Sequence, residues 1–205
     1  MASDRESLCD ALRAAGVRGV DDFGRFVNTK YFRASEFDDA AAAPVLLAEL
    51  PSVSDGSVVA AIARHLRRVR LSPRDFDRLL VAFERWATEN FDAGWTLGDA
   101  LAHAARPDHV ATMCQLAQRQ EYGRSRQMIV FALWRWRRSE LVEPTLRGLL
   151  ADPDVAMHAM SALNRVIPAD DMLAALAPLL QNDADPTVRK QAQCQATPVR
   201  RRILR

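Results

Sequence analysis

The chain has 205 residues, 49% of them apolar and 26% charged, with a formal net charge of +2. That balance can bury a core, which excludes wholesale disorder, and no window reaches the roughly 18 uninterrupted apolar residues of a membrane helix. Cys9, Cys114 and Cys194 are far apart and form no CxxC or Cys/His cluster, which argues against both a disulfide framework and a zinc site.

The opening "MASDRESLCD" is acidic and has no apolar stretch of the secretory kind, so a cytoplasmic location is expected. Its continuation "SDRESLCDALRAAG" reads as a helix. Ser3 and Glu6 have capping-box spacing, Leu8 and Leu12 share a face, and Gly16 can end the helix. The looser "DDFGRFVNTKYFRAS" suggests a short helix and a turn, which makes residues 1–37 an N-terminal capping helix and connector. From Ser35 the pattern becomes helix, polar break, helix. Breaks fall at 51–56, 70–73, 90–94, 106–108, 121–123, 138–139, 151–154, 168–171 and 181–186. No interval shows the strict alternation of a half-buried strand, so the fold class is all-α. Residues 38–195 form the regular part and residues 196–205 a basic C-terminal tail.

Segments of the regular part superpose on one another. "IVFALWRW" (129–136) lies over "AMSALNRV" (159–166) at an offset of 30, and "PVLLAEL" (44–50) over "PTLRGLL" (144–150) at an offset of 100. "GLLADPDVAMHA" and "PLLQNDADPTVRKQA" share a Leu-Leu pair, an aspartate-bearing turn and a valine that opens the next helix. A repeat of that length marks a solenoid, because one helix pair cannot cover its own apolar face. "LLQNDADPTVRKQA" (179–192) carries the resemblance through Leu179, Leu180, Asp185, Val188, Arg189 and Ala192. "LLADPDVAMHAMSAL" (149–163) follows it, with Ala156 where the arginine would stand. On these residues the chain resembles the HEAT-repeat superfamily, in its compact, PBS-lyase-like bacterial variety. The resemblance implies an α-α superhelix of about five helix pairs used as a binding scaffold. In "ADPD", Pro153 is expected to end one helix and Asp154 to cap the next. Leu149, Leu150, Ala159, Ala162 and Leu163 should be buried between repeats.

Candidate chemistry is sparse. His65, His103, His109 and His158 show no metal-ligand spacing; His65 falls in a core-facing slot, and Cys114 sits on an apolar helix face. The aspartates at 152, 154, 183 and 185 lie in turns where helix capping is their natural role. No catalytic residue, metal site or cofactor is assigned. The exception is "RSRQMIVFALWRWRR" (124–138). If Ser125, Ile129, Ala132, Leu133 and Trp136 face the core, then Arg124, Gln127, Phe131, Trp134, Arg135 and Arg138 share another face. Aromatic and arginine side chains are the types enriched in binding hot spots. Arg64, Arg67 and Arg68 form a comparable strip on "VVAAIARHLRRVR". The expected function is a non-enzymatic protein-interaction scaffold that holds the acidic surface of another protein in one concave groove, with no membrane role and an open oligomeric state. The second reading is nucleic-acid binding. A family of alkylpurine DNA glycosylases cradles duplex DNA with HEAT-like repeats, although none of its motifs matches here residue by residue. A third reading is a regulatory subunit of an enzyme.

Overall fold

The structure is a computed structural model and describes residues 3–23, 36–181 and 185–203. Most of the connector at 24–35, and Asp183, lie outside the described residues. Among those described, every regular element is helical, as the missing alternation requires. The chain divides into two compact units, Met1–Ala104 and Ala105–Arg205.

In the first unit, α1 (Asp4–Ala14) begins with the expected capping box. The Ser3 amide donates to Glu6 Oε2 at 2.8 Å, and the Glu6 amide to Ser3 Oγ at 3.3 Å. It ends at Gly16, whose φ of +72° a side chain would oppose. The Val17 amide reaches back to the Leu12 carbonyl there, the Schellman closure. Two helix pairs follow, α2 (Asp39–Glu49) with α3 (Gly56–Leu66), and α4 (Pro73–Glu89) with α5 (Phe91–Ala104). The second helices of the pairs, α3 and α5, pack on each other. One break is shorter than expected: only Asn90 separates α4 from α5, and Gly94 lies inside α5. Gly94, Thr96 and Gly98 are buried, so these small residues act as close-packing positions instead of breakers.

The second unit holds three pairs: α6 (Val110–Gln118) with α7 (Gln127–Ala132), α8 (Val142–Gly148) with α9 (Ala156–Leu163), and α10 (Ala169–Leu176) with α11 (Pro186–Ile203). The second helices α7, α9 and α11 pack in sequence, and α6 meets α8. This two-row stacking is the signature of a helical repeat. Leu149, Leu150, Ala159, Ala162 and Leu163 are all buried, as the repeat alignment required. The segment from 196, set apart above as a tail, is helical to Ile203, and Ala196 and Val199 are buried.

The turn before α9 corrects the sequence reading. Asp154 does not cap α9, whose N-cap position is Val155 with no side-chain bond. Asp152 organises the turn: its Oδ1 accepts from the Asp154 amide at 3.0 Å, and its carbonyl accepts from the Ala156 amide at 2.7 Å. Before α11, Asp185 Oδ1 accepts from the Thr187 amide at 2.8 Å, and the Asp185 carbonyl accepts from Arg189 at 2.8 Å. The shared device is therefore Asp-Pro-x-Val, at 152–155 and 185–188. The aspartate closes the turn, the proline fits the first-turn position where no amide is needed, and the valine is buried.

Candidate functional site

The second unit's surface is set by a clasp that sequence reading passed over. Arg126 is 1% exposed. Its Nε donates to the Gly123 carbonyl at 2.9 Å, Nη1 to the Ala117 carbonyl at 2.8 Å and Nη2 to Asp152 Oδ2 at 2.8 Å. A planar guanidinium carries donors on three nitrogens and so reaches acceptors set around its plane, which the single nitrogen of a lysine cannot. Beside it, Gln127 Nε2 donates to the Asp154 carbonyl at 2.8 Å. Arg126 and Gln127 thus fasten the start of α7 to the turn that leads into α9. The repeat offset could have found Arg126: 30 residues on lies Ala156, and 33 further lies Arg189, the motif's arginine.

From this anchored start α7 runs only to Ala132, and the chain then tightens into a 3-10 turn, Leu133–Trp136. Three residues per turn replace 3.6, so a face drawn at α-helical spacing drifts. Ser125, Ile129, Ala132 and Leu133 are buried as expected, while Trp136 is only half-buried. The outer strip splits into two places. Phe131 and Trp134, both half-buried, lie under Arg165, which follows α9. Its guanidinium carbon is 4.7 Å from the Trp134 ring centroid and 5.1 Å from that of Phe131. Arg165 was not a candidate in the sequence, because its stacking is decided by α7–α9 packing and no local spacing encodes it. Arg135 and Arg138, three residues apart, instead line a cleft of about 500 Å³ with Pro107, Val110, Trp136, Arg137 and Ser139. Arg135 lies over the Trp136 ring at 5.0 Å. Partial burial, and then the positive charge of Arg106, lower the Arg135 pKa from its ordinary value.

Arg124 is exposed near His158, whose pKa is lowered by burial first and by Arg124 second. His158 Nδ1 and Gln191 Oε1 are buried atoms with no hydrogen-bond partner among the described residues. They occupy equivalent places on α9 and α11, 33 residues apart.

In the first unit the strip on α3 is built differently. Arg64 pairs with Asp92 at 2.6 Å and Arg67 with Asp99 at 2.5 Å, both acids on α5; Arg68 lies 3.6 Å from Asp39 on α2. Three arginines are matched by three carboxylates of the same unit. His65, buried as its slot implied, has Nδ1 2.5 Å from Asp39, stacks on Phe23 and meets the Phe37 ring at a 46° tilt. The sequence gives the first unit 13 basic and 16 acidic residues and the second 15 and 10, so net positive charge belongs to the second. Among the described residues no cluster of three or more His, Cys, Asp or Glu could hold a metal ion, and no helix is long and apolar enough to cross a membrane.

Residues 110–195 match the family model of HEAT repeats. Comparison with curated proteins and with solved structures finds no match.

Proposed function

We propose that this protein, which carries HEAT repeats over residues 110–195, is an interaction scaffold that holds an acidic segment of a partner protein on its second unit. HEAT repeats generally mediate protein interactions. The observation that carries the finer reading is the platform of Phe131 on α7, Trp134 in the 3-10 turn after it and Arg165 just beyond α9. Two half-buried rings offer rigid apolar area at low entropic cost. A guanidinium stacked on them keeps its donor edges for a carboxylate while its faces stay dry. Gln127 opens α7 and Arg124 lies three residues before it, and both stay candidates for the same partner. Arg64, Arg67 and Arg68 are weaker candidates, because an incoming acid would compete with Asp92, Asp99 and Asp39 for them.

The net charge of +5 on the second unit supports nucleic acid as the second reading. The test starts with a partner recovered by the intact chain and then purified. Trp134→Ala should weaken its binding by about 2 kcal/mol or more, the size of an interface hot spot, and Arg165→Glu should chiefly slow association. Equal binding by both variants would remove the platform from the interface. Duplex DNA binding that falls by about 10³ between low and moderate salt would instead favour the second reading. Release of a base from alkylated DNA, lost on replacing Trp134, would make the protein an enzyme.

A further inference from the structure

The cleft beneath the 3-10 turn is a separate site from the Phe131–Trp134–Arg165 platform and has its own chemistry. Of its seven lining residues three are arginines, Arg135, Arg137 and Arg138, and none is acidic. Arg135 belongs to the 3-10 turn Leu133–Trp136, and Arg137 and Arg138 follow it in a further turn, where the Ser139 amide donates to the Trp136 carbonyl at 2.8 Å. Among the described residues neither Arg137 nor Arg138 has a carboxylate within ion-pair distance. Four arginines elsewhere, Arg64, Arg67, Arg126 and Arg147, each meet an acid of their own unit. Like charges held side by side repel, and a bound anion relieves that cost.

The rest of the lining, Ser139 apart, is apolar: Pro107, Val110 and Trp136. A ligand that suits both kinds of lining has a flat, weakly polar body and an end carrying two or more negative charges. The volume of about 500 Å³ falls within the range of small-ligand sites. We infer that this cleft binds a nucleoside di- or triphosphate, with its base against Pro107, Val110 and Trp136 and its phosphates on Arg137 and Arg138. Guanidinium groups meet phosphate oxygens bidentately, which a single carboxylate could not exploit across three arginines. Ser139, at the rim, adds a hydroxyl within the lining.

The test is isothermal titration of the full chain with ATP, ADP, adenosine and pyrophosphate. ADP and ATP should bind saturably, pyrophosphate more weakly, and adenosine not at all. Arg137→Ala with Arg138→Ala, both at exposed positions, should lower ADP affinity by about 100-fold, roughly tenfold for each charge-assisted contact removed. Trp136→Ala should bring ADP down to the affinity of pyrophosphate while leaving pyrophosphate itself unchanged. Arg165→Glu should bind ADP like the unaltered chain, so this site and the proposed partner platform can fail separately. The assignment is overturned if adenosine binds as well as ADP or if pyrophosphate matches ADP in the unaltered chain. It is also overturned if the double arginine variant keeps its affinity, or if neither ADP nor ATP saturates below about 1 mM, the weak end of specific binding.

Discussion

Arg126→Ala is the sharpest test of how the second unit is held. The guanidinium is 1% exposed, and its partner Asp152 is 12% exposed at the side chain. Its removal leaves the Ala117 and Gly123 carbonyls without their donor and Asp152 without a countercharge. An orphaned buried acceptor costs about 1–3 kcal/mol. Breaking a buried ion pair by deleting one member costs about 3–5 kcal/mol, which already contains part of the acceptor term. The expected loss is therefore about 3–5 kcal/mol, against a whole-domain stability of about 5–15 kcal/mol. Asp152→Asn should cost less, about 1–3 kcal/mol, because its single amide oxygen can still accept from one of the two donors, the Asp154 amide or Arg126. Arg126→Lys should rescue little, since an ammonium cannot span three acceptors in a plane. The assay is urea unfolding followed by hydrogen exchange resolved to peptides, so that residues 110–165 are read apart from residues 56–104. A loss below about 1 kcal/mol for Arg126→Ala would sink the argument. So would a double variant with Asp152→Asn whose effect is the plain sum of the singles, since contacting residues should couple by about 0.5–3 kcal/mol.

Other consequences can be checked in the same way. Leu163→Ala, at a fully buried site on α9, should cost about 2–5 kcal/mol in unfolding free energy. Gly19→Ala should cost more than the usual loop substitution, because φ is +69° and a Cβ would meet the Glu36 backbone; a thermal shift within error would contradict the close approach. Burial lowers the His65 pKa and outweighs the opposing pull of Asp39, whose charge Arg68 also offsets. The unfolded chain then binds more protons below about pH 6.5, so stability contributed by neutral His65 is present above that value and falls as the pH drops. Melting temperature of the first unit should decrease from pH 7.5 to 5.5, and a rise would mean that Asp39 holds the imidazole charged.

What the sequence determined by itself is local. Ser3 and Glu6 cap α1 because their three-residue spacing and side-chain chemistry are sufficient, and Gly16 ends it because the chain needs a positive φ there. Leu149, Leu150, Ala159, Ala162 and Leu163 are buried because apolar spacing at helical period leaves them one face, and the repeat offset says that another copy covers it. The site was legible only in its ingredients. Phe131, Trp134, Arg135 and Arg138 were visible as an aromatic and basic group, but a uniform 3.6-residue period put them on one face. The change to a 3-10 turn at Leu133 divided them between the platform and the cleft. Arg165 joined the rings, and Asp92 and Asp99 neutralised Arg64 and Arg67, through contacts between helices roughly 30 residues apart in the chain. Arg126 carries no local signal and is the most buried cation among the described residues of the second unit, because only packing supplied its three acceptors. Periodicity fixes which side of a helix is apolar; which neighbour meets a polar side chain is a property of the stacked helices, and only the tertiary structure decides it.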